Sequence, residues 1–158
     1  MWKYLSLSAM RVSRLKVLVA ILFVCCLPAL GELGGDASSI ASDQVHLKAS
    51  VRVIARSSYS VHEMLTPTGT TVRQFVSPSG TVFGISWQGF APDLQQLLGA
   101  HFQEYLAAVD SEPGRRWRGV HIDTGDLVVD AGGHMRFVVG RAFLRSQLPQ
   151  GVSADVVQ

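Results

Sequence analysis

The residues best equipped for chemistry crowd into one stretch, His121-Ile122-Asp123-Thr124-Gly125-Asp126, followed by Asp130 and His134. Asp123-Thr124-Gly125, behind Val120 and Ile122, has the form of the aspartic-protease tripeptide. That chemistry needs two carboxylates sharing a proton, the second coming from another lobe or a dimer mate. Here Asp126 stands where a small residue is usual, and Val138-Val139-Gly140 follows too soon to be the supporting apolar element. Asp-Thr-Gly-Asp also suits a hairpin turn, because an Asp side chain can bond the backbone two residues on. Histidines and carboxylates together suit zinc or another divalent ion. No His-Glu-x-x-His or comparably tight spacing supports one.

The remaining candidates are weaker. His101 and Glu104 sit three apart on an expected helix and can face each other, which suits a partly buried core histidine. His62 and Glu63 are adjacent on an expected strand, so they point to opposite faces and cannot act as a dyad. No Gly-x-Ser-x-Gly elbow occurs. Arg115-Arg116-Trp117-Arg118 is a basic, aromatic cluster, and Trp87 and Phe90 flank a glycine between a strand and a helix. Trp87, Phe90, Arg116 and Trp117 are therefore the candidate contacts for a partner or ligand. No catalytic, metal-ligating or cofactor-binding residue is assigned.

The elements that must hold these side chains read as follows. Asp36 or Ser38 can cap a helix over Ser38–Ala49, with Ile40, Leu47 and Val51 at loose helical spacing. "SVRVIARSS" either prolongs it or forms a short edge strand. Thr66-Pro67-Thr68-Gly69-Thr70 recurs as Ser77-Pro78-Ser79-Gly80-Thr81. A hydroxyl, a proline and a glycine in the first, second and fourth places describe a type I turn with a left-handed residue after it. The echo predicts two hairpin turns joining three antiparallel strands, with Phe83, Ile85 and Trp87 on one face. Pro92 and Asp93 open a second helix, whose stripe Leu94, Leu97, Leu98, Phe102, Tyr105 and Val109 ends at Pro113-Gly114. Gly99 within it marks close packing. Three more strands follow, with Gly132-Gly133 as a hairpin turn and Gly140 as a bulge. A few residues beyond Pro149 read as a disordered tail. The fold expected is α+β: two helices packed on mainly antiparallel meanders, in the order helix, three strands, helix, three strands.

The start of the chain predicts export. Lys3, Arg11, Arg14 and Lys16 precede an apolar run from Val17 to Leu27, then Pro28-Ala29-Leu30-Gly31. A basic region, a short apolar core and small residues form a secretory signal peptide. The core falls short of the roughly 20 residues of a membrane span. Residues 1–31 are read as the signal, cleaved between Gly31 and Glu32, with Met10 an alternative start; residues 32–158 form a single exported domain.

Processing changes the bulk numbers. Four of the 14 basic residues leave with the signal, so ten face 12 acidic ones and the formal charge becomes −2. That balance offers no electrostatic case for nucleic acid. Cys25 and Cys26, the only cysteines, leave as well, so the mature domain has no disulfide and no thiol. There is no Asn and hence no N-glycosylation acceptor. These traits favour a bacterial periplasm, with the membrane met only through the signal.

Taken together, "LGGDASSIASDQ", "YSVHEMLTPTGTTVRQFVSPSGTVFGISWQG", "PDLQQLLG", "GDLVVDAGGHMRFVVGRAFL" and "LPQGVSADVV" resemble a family of exported bacterial proteins catalogued as domain of unknown function 2844. The resemblance spans nearly the whole mature chain and implies a Gram-negative envelope setting and a compact single domain. It carries no activity and no site residues. The expectation is a non-enzymatic binding or interaction module engaging an envelope protein or a small ligand. The alternative is a periplasmic hydrolase built on a His/Asp constellation near His121 and His134.

Overall fold

In a computed structural model, residues 32–40, 44–45, 48–111, 119–134 and 136–158 are described. The expected signal segment, Gly31 at its cleavage point, and Arg116 and Trp117 all lie outside them. Seven strands form one antiparallel sheet: β1 (Ser50–Ala55), β2 (Ser60–Leu65), β3 (Thr71–Val76), β4 (Val82–Gly89), β5 (Val120–Asp123), β6 (Leu127–His134) and β7 (Phe137–Leu144). Their spatial order is β1-β2-β3-β4-β7-β6-β5, so β4 and β7 meet at the centre.

This corrects the expected architecture. The chain does not make two helices on separate three-stranded meanders. "SVRVIA" is a strand, so the first meander has four strands, and it joins the second through β4–β7. Of the first expected helix, the structure describes a 3-10 turn at Ala37–Ser39, capped by Asp36 Oδ1, which accepts the Ser38 N–H at 2.7 Å, and α-helical backbone at Ile40, Gln44 and Val45. Residues 41–43 and 46–47 of that stretch lie outside the described residues. One helical segment runs between β4 and β5, comprising α1 (Leu94–Leu98), a 3-10 turn (Gly99–His101) and α2 (Phe102–Ser111). Asp93 caps it, accepting from Gln95 N at 3.0 Å and Gln96 N at 3.2 Å. Gly99, with φ +51, leaves room for Glu32, against which any Cβ would collide. The close packing expected there is what the structure contains.

The repeated turns share the same main hydrogen bonds. Thr66 and Ser77 each accept the amide of the glycine three residues on, at 3.0 Å in both, and each hydroxyl bonds that of residue 68 or 79. Gly69 and Gly80 have φ +81 and +87, the left-handed geometry that glycine adopts without strain. The pairing of β3 with β4 contains a bulge: Phe75 lies opposite Gly84 and Val76 opposite Val82, leaving Phe83 as the extra residue. A bulge turns side chains off the regular alternation. Phe83 therefore leaves the face of Ile85 and Trp87 and packs with Tyr59 and Phe75, at centroid distances of 6.0 and 6.2 Å. Gly140 is not a bulge, since β7 runs in continuous register with both neighbours. Nor do Gly132 and Gly133 form a turn; they pair with Val139 and Val138 inside the hairpin, which closes beyond the His134–Phe137 pair.

Each face of the sheet has its own core. On one, Met64, Val72, Ile85, Trp87, Val129 and Ala142 pack with Leu97 and Leu98 of the helical segment and with Leu33 and Ile40. On the other, Val61, Phe75, Phe83, Val128 and Phe143 lie under the C-terminal segment. The residues beyond Pro149 are thus no loose tail. They fold into a 3-10 turn, Ala154–Val156, capped by Ser153, and deliver a fully buried Val157. Gly84 receives it: a Cβ on Gly84 would come within 2.7 Å of Val157 Cγ2.

Gly84→Ala and Val157→Ala should each destabilise the fold by about 1–3 kcal/mol, through overpacking and lost burial respectively. The double variant should lose less than the sum, because the added methyl occupies space that Val157 vacates. Urea unfolding of the four proteins checks this; strict additivity would mean that the two residues do not meet.

Candidate functional site

The register of the sheet lines up one polar row across all seven strands. Arg52 pairs with Glu63, Glu63 with Arg73, Arg73 with Ser86, Ser86 with Arg141, Arg141 with Asp130, and Asp130 with His121. Directly paired residues share a face, so these side chains form a stripe beside the apolar row covered by the C-terminal segment. The stripe is nearly palindromic: base, acid, arginine, serine, arginine, acid, base.

Its two halves are tied alike. Glu63 Oε2 accepts from Arg73 Nε at 2.8 Å, and its Oε1 accepts from Arg52 Nη2 at 3.2 Å. Asp130 Oδ2 accepts from Arg141 Nε at 2.9 Å, while its Oδ1 lies 2.5 Å from His121 Nδ1. Burial pushes the Asp130 carboxyl up, but the hydrogen bonds to His121 and Arg141 outweigh it and hold the group below its ordinary range. Arg141 also lies over the Phe143 ring, 5.8 Å from its centroid. Ser86, at the centre, is 3% exposed, and its Oγ is buried with no hydrogen-bond partner among the described residues. Leaving a buried hydroxyl unpaired costs about 1–3 kcal/mol.

Beside the Asp130 end runs an open trough of about 760 Å³ across β5, β6 and β7, lined by Gly119, His121, Asp130, Gly132, Val139 and Arg141 among others. Gly132 lies outside the left-handed region, and a Cβ there would meet no atom within 4 Å among the described residues. Neither backbone conformation nor close packing requires glycine at that position. Its effect is to keep the floor flat, with Val139, 48% exposed, as the apolar flank.

The candidates singled out in the sequence disperse. Asp123 ends β5 at the edge of the β5–β6 turn and is gripped by Arg145, whose Nη1 and Nη2 donate to Oδ1 and Oδ2 at 2.7 Å each. The amide of Gly125 adds a third bond at 3.0 Å. The Arg145 guanidinium, with that amide, holds the Asp123 carboxyl far below the usual carboxylate range. A carboxylate so paired is a turn anchor, not half of a proton-sharing dyad. Asp126 accepts from the Ser146 amide at 2.7 Å and its hydroxyl at 2.9 Å. His134 packs on Phe137 at 6.3 Å between centroids. His121 alone of this group joins Asp130. Among the described residues, no three His, Asp or Glu side chains gather as a metal site.

Elsewhere, His101 Nδ1 faces Glu104 Oε2 at 3.3 Å, as their spacing predicts, and Glu104 also accepts from the Thr124 hydroxyl. His62 and Glu63 do point apart; burial pushes the His62 imidazole down. Trp87 is 2% exposed and belongs to the core, because β4 meets β7 with Trp87 opposite Gly140, where a Cβ would run into the indole. Phe90 is 53% exposed and rims a smaller cleft of about 500 Å³ with Thr66, Pro67 and Thr68. The expected aromatic pair is therefore a single exposed phenylalanine. Arg73, Ser86 and Arg141 were not among the sequence candidates. Their local signal is a polar phase on otherwise apolar strands, which becomes a row only once the register is known.

Fold and site together define a single antiparallel sheet covered by a helical segment on one face and a C-terminal strap on the other, with a polar row and trough left open beside the strap. The chain belongs to the family described as Protein of unknown function (DUF2844), whose model matches residues 29–157. No curated protein and no solved structure matches it.

The Asp123–Arg145 pair makes a signed prediction. Because the folded carboxyl is held low, its stabilising contribution is complete above the ordinary carboxylate range, about 4, and fades as pH falls toward the folded value. Asp123→Asn should lower the melting temperature at neutral pH, and the gap from the parent protein should narrow below pH about 4. A gap unchanged by pH would mean that the pair does not hold the turn.

Proposed function

We propose that the chain is an exported, non-enzymatic binding module of the bacterial envelope that holds a small ligand in the trough across β5, β6 and β7. The observation that carries this reading is the contrast between tied reactive groups and an untied surface. Asp123, Asp126 and Asp130 are each engaged by structural partners, whereas Gly132 leaves open space that the fold does not require. Export rests on the basic, apolar, small-residue order of residues 1–31. Open concave surfaces with a few convergent polar groups are where small ligands bind.

A hydrolase reading has one feature in its favour: His121 is half exposed and bonded through Nδ1 to a carboxylate, the arrangement of an oriented general base. The hydroxyl in the same row, Ser86, belongs to β4, and β7 and β6 stand between it and β5. The binding module is the better-supported reading.

Two measurements test it. N-terminal sequencing of the protein from a periplasmic fraction should begin at Glu32; an intact chain in the inner membrane would overturn export. A screen of small polar metabolites by amide chemical shifts should perturb Gly132, Val139 and their neighbours. Gly132→Leu should abolish those shifts while leaving the melting temperature within a few degrees, since the added side chain meets no neighbour. Shifts that persist in this variant, or that never touch the trough, would remove the assignment.

A further inference from the structure

We propose that the centre of the polar row, Arg73–Ser86–Arg141, is an oxyanion-binding site that seats the charged group of the trough's ligand. The inference rests on the trough reading for the ligand's body, but the anion seat itself stands on separate observations. Arg73 and Arg141 flank Ser86 on adjacent strands, so their Cα atoms lie about 10 Å apart, a span that two arginine side chains can close around one anionic group. Each guanidinium is held at its Nε by a carboxylate on the outer side, Glu63 at 2.8 Å and Asp130 at 2.9 Å. These are the only side-chain hydrogen bonds that the two arginines make among the described residues, so their Nη groups retain unused donors. Both side chains are about one-third exposed, at 32% and 33%.

Between them lies the buried Ser86 hydroxyl, with no partner among the described residues. An orphaned donor between two guanidiniums with spare N–H groups is the chemistry of an oxyanion seat. An anion oxygen entering there would accept from all three residues, and forked arginines bind carboxylate and phosphate with geometric preference. Charge agrees. The row carries three arginines against two carboxylates, leaving one positive charge in excess before His121 is considered. Arg141 belongs to both the seat and the trough, so a ligand anchored here would extend over Gly132 and Val139. The class implied is a small molecule with a carboxylate or phosphate head and a short apolar body.

The side-chain Nε–H resonances of Arg73 and Arg141 report the seat directly. Inorganic phosphate or acetate should shift both while leaving Arg145 unmoved, and the stronger of the two identifies the head group. Ser86→Ala should weaken the anion about threefold or more with an intact amide spectrum, and Arg73→Gln about tenfold, with Arg73→Lys between parent and Arg73→Gln. Hexanoate should bind more tightly than acetate, and Gly132→Leu should erase that advantage without weakening phosphate. Arginine resonances that do not move at high phosphate, or an affinity indifferent to Ser86→Ala, would overturn the seat. Movement of trough amides by neutral hexanol in that case would leave the trough standing alone. Phosphate binding with no difference between hexanoate and acetate would reject the trough and keep the seat.

Discussion

The structure depends on the pairing of β4 with β7. Two meanders distant in sequence meet there, and each would otherwise end in an exposed edge at that point. The contact is specific because Trp87 lies opposite Gly140, where the indole occupies the space that a side chain would fill. A tryptophan buries a large apolar area, and the glycine that admits it weakens its own strand. The pair only makes sense together. It turns β4 from a meander edge into a central strand, buried along almost its entire length. It also obliges both faces of the sheet to be covered, one by the helical segment and the other by residues 148–157.

The same pairing creates the polar row. Opposing Trp87 to Gly140 also opposes Ser86 to Arg141, which joins the Glu63–Arg73 half to the Asp130–His121 half. Ion pairs this exposed contribute little to stability individually. Their geometric effect is larger, because each carboxylate restrains a guanidinium that would otherwise sample many rotamers. Stability in this region comes from the neighbouring apolar row, where Phe75, Phe83 and Phe143 lie under Val157, Val152 and Leu148. Packing and positioning are thus divided between two adjacent rows of one face.

Much of this was legible locally. The repeated turns disclosed two hairpins because hydroxyl, proline and glycine at fixed offsets act through short-range geometry. The stripe from Leu94 to Val109 disclosed the helix, including its weak point at Gly99. What remained hidden was non-local. No periodicity reveals that Phe83 is a bulge residue, since the extra residue is defined only against Val76 and Phe75 on β3. "SVRVIA" was ambiguous because an edge strand with one neighbour is partly exposed on both faces and lacks clean alternation. The glycines misled for a related reason. Gly132, Gly133 and Gly140 suggest turns and bulges, whereas the structure uses them inside strands, for an open floor, a close backbone approach and the Trp87 ring. The expected fold class failed where the two meanders join through β4 and β7, and where glycines inside strands were read as turns and bulges.

The site followed the same pattern. Sequence proximity gathered His121, Asp123, Asp126 and His134, but proximity along a hairpin is not convergence. Alternation and the turn send Asp123 to Arg145, Asp126 to Ser146 and His134 to Phe137. An enzyme would have to spare at least one of these groups from structural duty, with a nucleophile or metal beside it. A binding surface has the opposite requirement, namely charged groups already immobilised so that little freedom is lost when a ligand arrives. Glu63 and Asp130 provide that immobilisation for Arg73 and Arg141 on either side of a buried hydroxyl. Asp130 belongs to both arguments: its bonds to His121 and Arg141 remove it from the carboxylates open to catalysis and, in the binding reading proposed above, orient Arg141.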